Sequence, residues 1–335
     1  MFDQLLVPVD RSSLAEHIIP HAIAMAQAHN SKVTLISILD PAVESNPGRP
    51  TDPFDWQIQR AEAEGYLNNL SSGLKSKGVA VQTILLDGKA PDEVIRHSNS
   101  VGTDLIMLSS HGQGGISSWN SSSVVMKIIQ QARTSVMIIQ SRPAPEYSPA
   151  NLRYRRILAP VDGSQRAEYG LFAAASLARN HGAELIIAHV IKPPELPRRT
   201  PLSAQDRALV QKVVESNRVE GSLYLDVLKN SLDCHVESRL LICESVTEAL
   251  HTLVVQEKID LVVLNAHGLG GNPRRPYGNV AVNFLAYSTI PLLIVQDFNR
   301  VQLVQPHARI NVNELWNQQR PISNGSRPRF EEASL

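Results

Sequence analysis

The chain has 335 residues, of which 43% are hydrophobic, and its 32 basic side chains balance 32 acidic ones. This length is typical of about two globular domains, and the balanced charge argues against a surface for nucleic acid or for an anionic membrane. No apolar run is long enough to span a bilayer or to act as a secretory signal, so we expect a cytoplasmic protein.

Strand and helix patterns alternate along the first 140 residues. Short apolar strands are predicted at residues 4–9, 33–39, 79–86, 105–108 and 135–139. Helices are predicted between them at residues 14–28, with a kink at Pro20, and at residues 62–77, 91–98 and 124–129. The proline-rich stretch at residues 41–56 is predicted to be a loop. Such apolar strands, alternating with helices, predict an α/β fold: a doubly wound, five-stranded parallel sheet with both faces covered.

The same order of elements begins again after a second proline-rich segment. Residues 156–161 repeat the first strand, and Asp162 follows them as Asp10 follows the first copy, 152 positions earlier. The repeat predicts two Rossmann-like domains in tandem, at residues 1–141 and 155–297. We predict a linker at residues 142–154 and a largely disordered tail at residues 298–335, which is polar and without period.

A glycine-rich segment follows the fourth strand of each half. Residues 106–123 read IMLSSHGQGGISSWNSSS and residues 262–279 read VVLNAHGLGGNPRRPYGN, aligned without a gap at a displacement of 156. A strand, a glycine-rich turn and a helix start expose backbone N–H groups and a positive helix end, which suits phosphate. Ligands of open parallel sheets bind where the strand order reverses. If the first and fourth strands are neighbours there, Asp10 and Gly112 line one crevice that suits a nucleotide.

These glycine-rich segments, together with VPVDRSS and APVDGSQ at the first strands, resemble the universal stress protein family in its two-domain form. The resemblance covers roughly residues 1–297 and implies an adenine-nucleotide alpha hydrolase-like fold for each half. In nucleotide-binding members, a glycine, two residues, a second glycine, nine residues and a glycine followed by Ser or Thr hold the phosphates of ATP. The first-strand Asp and the second strand meet the ribose and the adenine. ATP with Mg²⁺, or another adenine nucleotide, is therefore the implied ligand.

The resemblance implies a set of cofactor-binding residues at the matching positions. In the first half they are Asp10, Ile38, Ser109, His111, Gly112, Ser122 and Ser123. In the second half they are Asp162, Val190, Gly268, Gly278 and Asn279. Neither copy is complete, because Ser122 replaces a glycine in the first and Asn265 replaces one in the second. The glycine before the third helix is Gly88 in the first half but Cys243 in the second, which makes the first half the better candidate.

Simpler interpretations stand beside these site residues. Asp10 and Asp162 are equally consistent with turn or capping residues. The histidines before the glycines, His111 and His267, are read as holding the loop by a hydrogen bond rather than as acids or bases. The sequence contains no GK[ST], nucleophile elbow, HExxH or paired-cysteine motif, so we expect no enzyme, with slow ATP hydrolysis left open. A flavoprotein is an alternative by fold analogy alone.

Two function classes remain from the sequence. The first is a stress-response regulator that binds an adenine nucleotide in at least the first half and associates with unidentified protein partners. The second is a nucleotide-free scaffold in which both phosphate loops have eroded. The fifth strand of each half is a short apolar edge that invites pairing. The resemblance implies that such strands pair between domains, so we expect the halves to dock as a pseudo-dimer within the chain, and a homodimer of two chains stays open.

Overall fold

The computed structural model describes residues 1–40, 53–110, 124–140, 152–195, 203–270 and 275–296. The strands of the first half are β1 Gln4–Pro8, β2 Lys32–Leu39, β3 Ala80–Asp87, β4 Leu105–Ser109 and β5 Ser135–Ile139. Its helices are α1 Ser13–Glu16, α2 Ile18–His29, α3 Pro53–Ser76, α4 Ala90–Val101 and α5 Val124–Gln131.

The second half repeats this order. Its strands are β6 Arg156–Pro160, β7 Glu184–Ile191, β8 Val236–Ile242, β9 Leu261–Asn265 and β10 Leu292–Val295. Its helices are α6 Gln165–His181, α7 Ala204–Ser231, α8 Val246–Gln256 and α9 Asn279–Tyr287.

All ten strands join one sheet in the order β3-β2-β1-β4-β5-β10-β9-β6-β7-β8. Within each half the pairs are parallel, and β1 pairs with both β2 and β4 as β6 pairs with both β7 and β9. The first and fourth strands are therefore neighbours at the reversal of strand order, as expected, and the doubly wound α/β fold is confirmed in both halves.

The two halves meet through an antiparallel pairing of β5 with β10, in which Met137 lies opposite Leu293. This is the docking of fifth strands that the sequence predicts. Because the pairing joins two short edges, the sheet runs through the whole molecule without a free edge at its centre.

Helices cover both faces of the sheet. One face, here called the first face, carries α1, α2, α3, α6 and α7, and its core includes Met25, Leu74 and Leu171. The second face carries α4, α5, α8 and α9, with Ile129 and Phe284 in its core. Neighbouring strand residues alternate between these two cores, as the period of a pleated sheet requires.

Proline explains the main difference between the first helices of the halves. Ser12 and Ser164 cap α1 and α6 in the same way, each accepting the N–H of the residue three positions later. The first helix then breaks at His17, three residues before Pro20, because proline has no N–H for an i−4 carbonyl and its ring crowds that carbonyl. Phe172 stands 152 positions after Pro20, and α6 runs through it for 17 residues.

Tyr154 seals the first face where the halves meet. It is only 2% exposed, although it ends the stretch predicted to be a linker. Its hydroxyl lies 2.7 Å from Nδ1 of His21 in α2, and its ring contacts His181 edge-on at 5.0 Å. The last residues of the predicted linker therefore pack as part of the core. Residues 142–151 of that linker and the predicted tail at 298–335 lie outside the described residues.

Candidate functional site

Asp162 follows β6 at the reversal of strand order and organises the turn into α6. Its Oδ1 accepts the backbone N–H of Ser164 at 3.1 Å and the Ser164 hydroxyl at 2.6 Å. Asp10 makes the same two contacts with Ser12, at 3.1 and 2.6 Å. The interpretation of both aspartates as turn residues is therefore confirmed, whereas the helix caps themselves are Ser12 and Ser164.

The second oxygen of Asp162 faces the glycine turn that follows β9. Asp162 Oδ2 accepts the backbone N–H of Leu269 at 2.6 Å. A Cβ on Gly268 would lie 2.1 Å from this oxygen, so only glycine leaves room for the carboxylate. The acid and the glycine turn are thus in direct contact in the second half. The corresponding pair in the first half, Asp10 and Gly112, is not tested, because Gly112 lies outside the described residues.

Gly278 begins the helix that lies next to the glycine turn. Its N–H donates to the carbonyl of Ala266 at 2.7 Å, and it is the N-cap of α9 with no side-chain cap. A Cβ on Gly278 would lie 3.9 Å from the nitrogen of Gly268, so the start of α9 lies beside the glycine turn. Uncapped first-turn N–H groups at a helix start favour an anion. Asn279, the first residue of α9, is exposed at this end.

Gly278 stands at the third glycine position of the motif in the second half. Its φ is −76°, which any residue adopts, and the nearest atom to an added Cβ would be Ala266 O at 3.5 Å. Glycine is therefore not required here by backbone strain or by close protein neighbours. Ser122 and Ser123, which match Gly278 and Asn279 in the first half, lie outside the described residues.

His267 holds the glycine turn together. It is 1% exposed, and its Nε2 lies 2.6 Å from the carbonyl oxygen of Arg275. Since a carbonyl only accepts, Nε2 carries the proton and donates it across the turn. The prediction of a loop-orienting hydrogen bond is confirmed for His267, whereas its counterpart His111 lies outside the described residues.

The residues predicted to meet the adenine lie at the ends of the second strands. Ile38 and Val190 are each half-buried and pack against the second-face core. Ser109 is the last residue of β4 and is nearly buried. The next N–H, of Ser110, donates to Ile139 O at 2.8 Å, just as Ala266 donates to Val295 O at 2.9 Å. The backbone therefore leaves the fourth strand in the same way in both halves.

A tyrosine and a glutamate lie near each aspartate. Burial raises the pKa of Tyr66, with Glu16 and then Asp10 adding to the effect. Burial likewise raises the pKa of Tyr224, followed by Glu168 and Asp162. The two phenols therefore stay protonated at neutral pH. Sequence patterns did not single out this repeated pair, because each tyrosine lies 50 or more positions from its glutamate.

Two further features of the second site were not predicted. Asn265, at the first glycine position of the motif, has a buried Oδ1 with no hydrogen-bond partner among the described residues. A Cβ on Gly170 in α6 would lie 2.7 Å from that oxygen, so this glycine lets α6 approach β9. Tyr277, directly before Gly278, is 4% exposed. A glycine inside a helix pattern and an aromatic residue inside a polar loop were the available signals.

A metal cluster and a membrane-spanning helix are both absent from the part of the chain that the structure describes. In that part, no three His, Cys, Asp or Glu side chains come together as a metal site. Among the same residues, no helix combines the length and the apolar character needed to cross a bilayer.

Fold and site together define a tandem Rossmann-like α/β protein with a carboxylate facing a glycine turn at the reversal of strand order. The family model described as the universal stress protein family matches residues 1–140 and again residues 153–296. The chain therefore belongs to the universal stress protein family, in its tandem form.

Relatives of known kind agree with this assignment. A universal stress protein of Mycolicibacterium smegmatis is 22% identical over 300 residues, which cover 87% of this chain and 96% of the relative. The universal stress protein YxiE of Bacillus subtilis is 24% identical over 148 residues, 42% of this chain and 100% of the relative. The crystal structure of a universal stress protein from Archaeoglobus fulgidus superposes with a TM-score of 0.61 at 16% identity, covering 88% of this chain and 97% of that one.

Proposed function

We propose that this chain is a nucleotide-binding regulator, and that its second half holds an adenine nucleotide in the crevice between the ends of β6 and β9. The observation that carries the proposal is the contact between the Asp162 carboxylate and the Leu269 amide beside Gly268. It brings a hydroxyl-binding acid and a phosphate-binding turn to the place where doubly wound sheets take ligands.

The residues fit the parts of a nucleotide. Backbone N–H groups in the first turn of α9 suit the phosphates, because they are donors at a positive helix end. Asp162 suits the ribose hydroxyls, and the half-buried Val190 suits the apolar face of the base. Gly268 keeps open the space that a side chain would fill. A Mg²⁺ ion would arrive with the phosphates, since the described residues offer no metal cluster of their own.

The first half is proposed to bind in the same way. Asp10 has the turn geometry of Asp162, and β4 passes into the first glycine-rich segment as β9 passes into the second. The motif departures left the first half as the better candidate from sequence. The ATP stoichiometry of Asp10→Asn and of Asp162→Asn shows which half binds the nucleotide. Asparagine retains the oxygen that accepts from the capping serine, so the turn itself is kept.

The test is equilibrium binding of labelled ATP to the full chain, with and without Mg²⁺. Gly268→Ala should weaken binding at the second site about tenfold or more, because its Cβ displaces Asp162 from the turn. Gly270→Ala is the matched control, since it changes the same turn at a position where an added Cβ has no atom of the described residues within 4 Å. Absence of saturable binding up to millimolar ATP would remove the proposal.

A nucleotide-free scaffold is the second candidate, and one observation favours it. The Leu269 amide is already satisfied by Asp162, so a phosphate must compete with a fixed carboxylate for it. If ATP does not bind, the continuous ten-stranded sheet remains as an interaction surface for unidentified protein partners.

We propose that the chain binds the nucleotide without hydrolysing it. The buried His267 uses its Nε2 proton to hold Arg275, which supports a structural role rather than activation of water. Measurement of phosphate release from ATP tests this directly. Sustained turnover that is lost in Gly268→Ala would show that the chain is a hydrolase.

A further inference from the structure

Tyr277 leaves the second half and packs into the first. It stands directly before Gly278, is 4% exposed, and shares the second-face core with Ile128 and Ile129 of α5. Its hydroxyl donates to the carbonyl oxygen of Ile129 at 3.0 Å. The phenol thus joins the second half to α5 of the first half.

The acceptor of this bond lies at the end of a helix. Ile129 belongs to the last turn of α5, where carbonyls have no partner within the helix, so Tyr277 caps the carboxyl end of α5. Burial raises the pKa of Tyr277, which keeps the hydroxyl a donor. The eight residues of α5 span about 12 Å and begin directly after the glycine-rich segment of the first half.

The backbone on either side of Tyr277 is fixed to the glycine turn. The Arg275 carbonyl accepts from His267 at 2.6 Å, and the Gly278 N–H donates to Ala266 at 2.7 Å. A shift of Tyr277 therefore moves Gly278 and the first turn of α9 relative to Gly268. These are the groups that the proposed function assigns to phosphate.

We infer that Tyr277 is a positioning residue that fixes the glycine turn of the second half relative to the first half. A shift of the phosphate-binding backbone groups of that site would therefore move the carboxyl end of α5, and a shift of α5 would move those groups. The inference rests on the proposed function for its ligand. The matching position in the first half, 156 residues before Tyr277, is Ser121, which has no aromatic ring.

Hydrogen exchange of the full chain without nucleotide tests the link itself. Tyr277→Phe keeps the ring and removes the hydroxyl, so the amides of Gly278 and of Ala132, which donates to Ile128 O in α5, should both exchange about three- to tenfold faster. Tyr154→Phe is the matched control, because it also removes a buried tyrosine hydroxyl between the halves but acts on the opposite face. It should leave both amides unchanged. Unchanged Gly278 exchange in Tyr277→Phe overturns the inference.

Binding of ATP tests its consequence. Tyr277→Phe should weaken ATP binding at the second site about three- to tenfold, and Tyr154→Phe should not. An equal loss in both variants means general destabilisation and overturns the positioning role. If the unaltered chain binds no ATP, the proposed function fails, and the hydrogen-exchange result then decides the link on its own.

Discussion

Lowering the pH should destabilise the contact between the two halves on the first face, because three histidines lie in that contact. His21 bonds the Tyr154 hydroxyl, His181 contacts the Tyr154 ring, and His29 contacts Phe2 edge-on at 5.5 Å. Burial lowers the pKa of all three, and each also feels a neighbouring positive group. Protonation must place charge between α2 and α6, where little water reaches it.

The magnitude follows from the two largest changes. The pKa values of His21 and His181 fall from 6.5 to about 4, mainly through burial and then through His17 for the first and His29 and Arg153 for the second. A fall of this size is worth roughly 3 kcal/mol for each histidine. Because the unfolded chain binds these protons first, the free energy of unfolding falls as pH drops from 6.5, and the whole contribution is lost near pH 4.

Urea unfolding at a series of pH values measures this loss. His181→Phe keeps an aromatic ring against Tyr154 but removes one titrating group, so its free energy of unfolding should fall less between pH 7 and pH 4, by up to roughly 3 kcal/mol. Parallel pH profiles for His181→Phe and the unaltered chain would refute the reasoning.

Three stability predictions follow from close contacts. Gly170→Ala should lower the free energy of unfolding by about 1–3 kcal/mol in urea, because its Cβ would crowd a side-chain oxygen on β9 at 2.7 Å. Gly65→Ala lies in a helix at a position where no atom of the described residues would be within 4 Å of the added Cβ. It should raise the free energy of unfolding by about 0.5–1 kcal/mol, and a loss would contradict this. Asp260→Ala should cost about 1–3 kcal/mol by leaving the N–H groups of Arg155 and Arg156 without their carboxylate, and an unchanged urea midpoint would contradict this.

The fold was predictable because its signals are local and repeated. Apolar strands and helical spacing recur twice in the same order, and two aligned copies reinforce each other. Strand order then placed Asp162 opposite Gly268, since the reversal point of a doubly wound sheet is set by topology. The start of α3 was wrong for a local reason: residues 53–56 were assigned to a loop, yet the helix begins at Pro53. Proline is tolerated in a first turn, and Phe54 there is 67% exposed, so no apolar period marks it.

The rest of the second site depends on contacts that no local pattern encodes. Leu269 lies 107 positions from Asp162, and Tyr277 lies 148 positions from Ile129. The first of these contacts followed from a rule about sheets, because any chain with this topology brings those segments together. The second depends on how the two halves dock, and the position of the first half that matches Tyr277 is Ser121. A repeat seen in sequence therefore does not by itself predict equal function in both halves, because one member of an aligned pair can carry a ring that the other lacks.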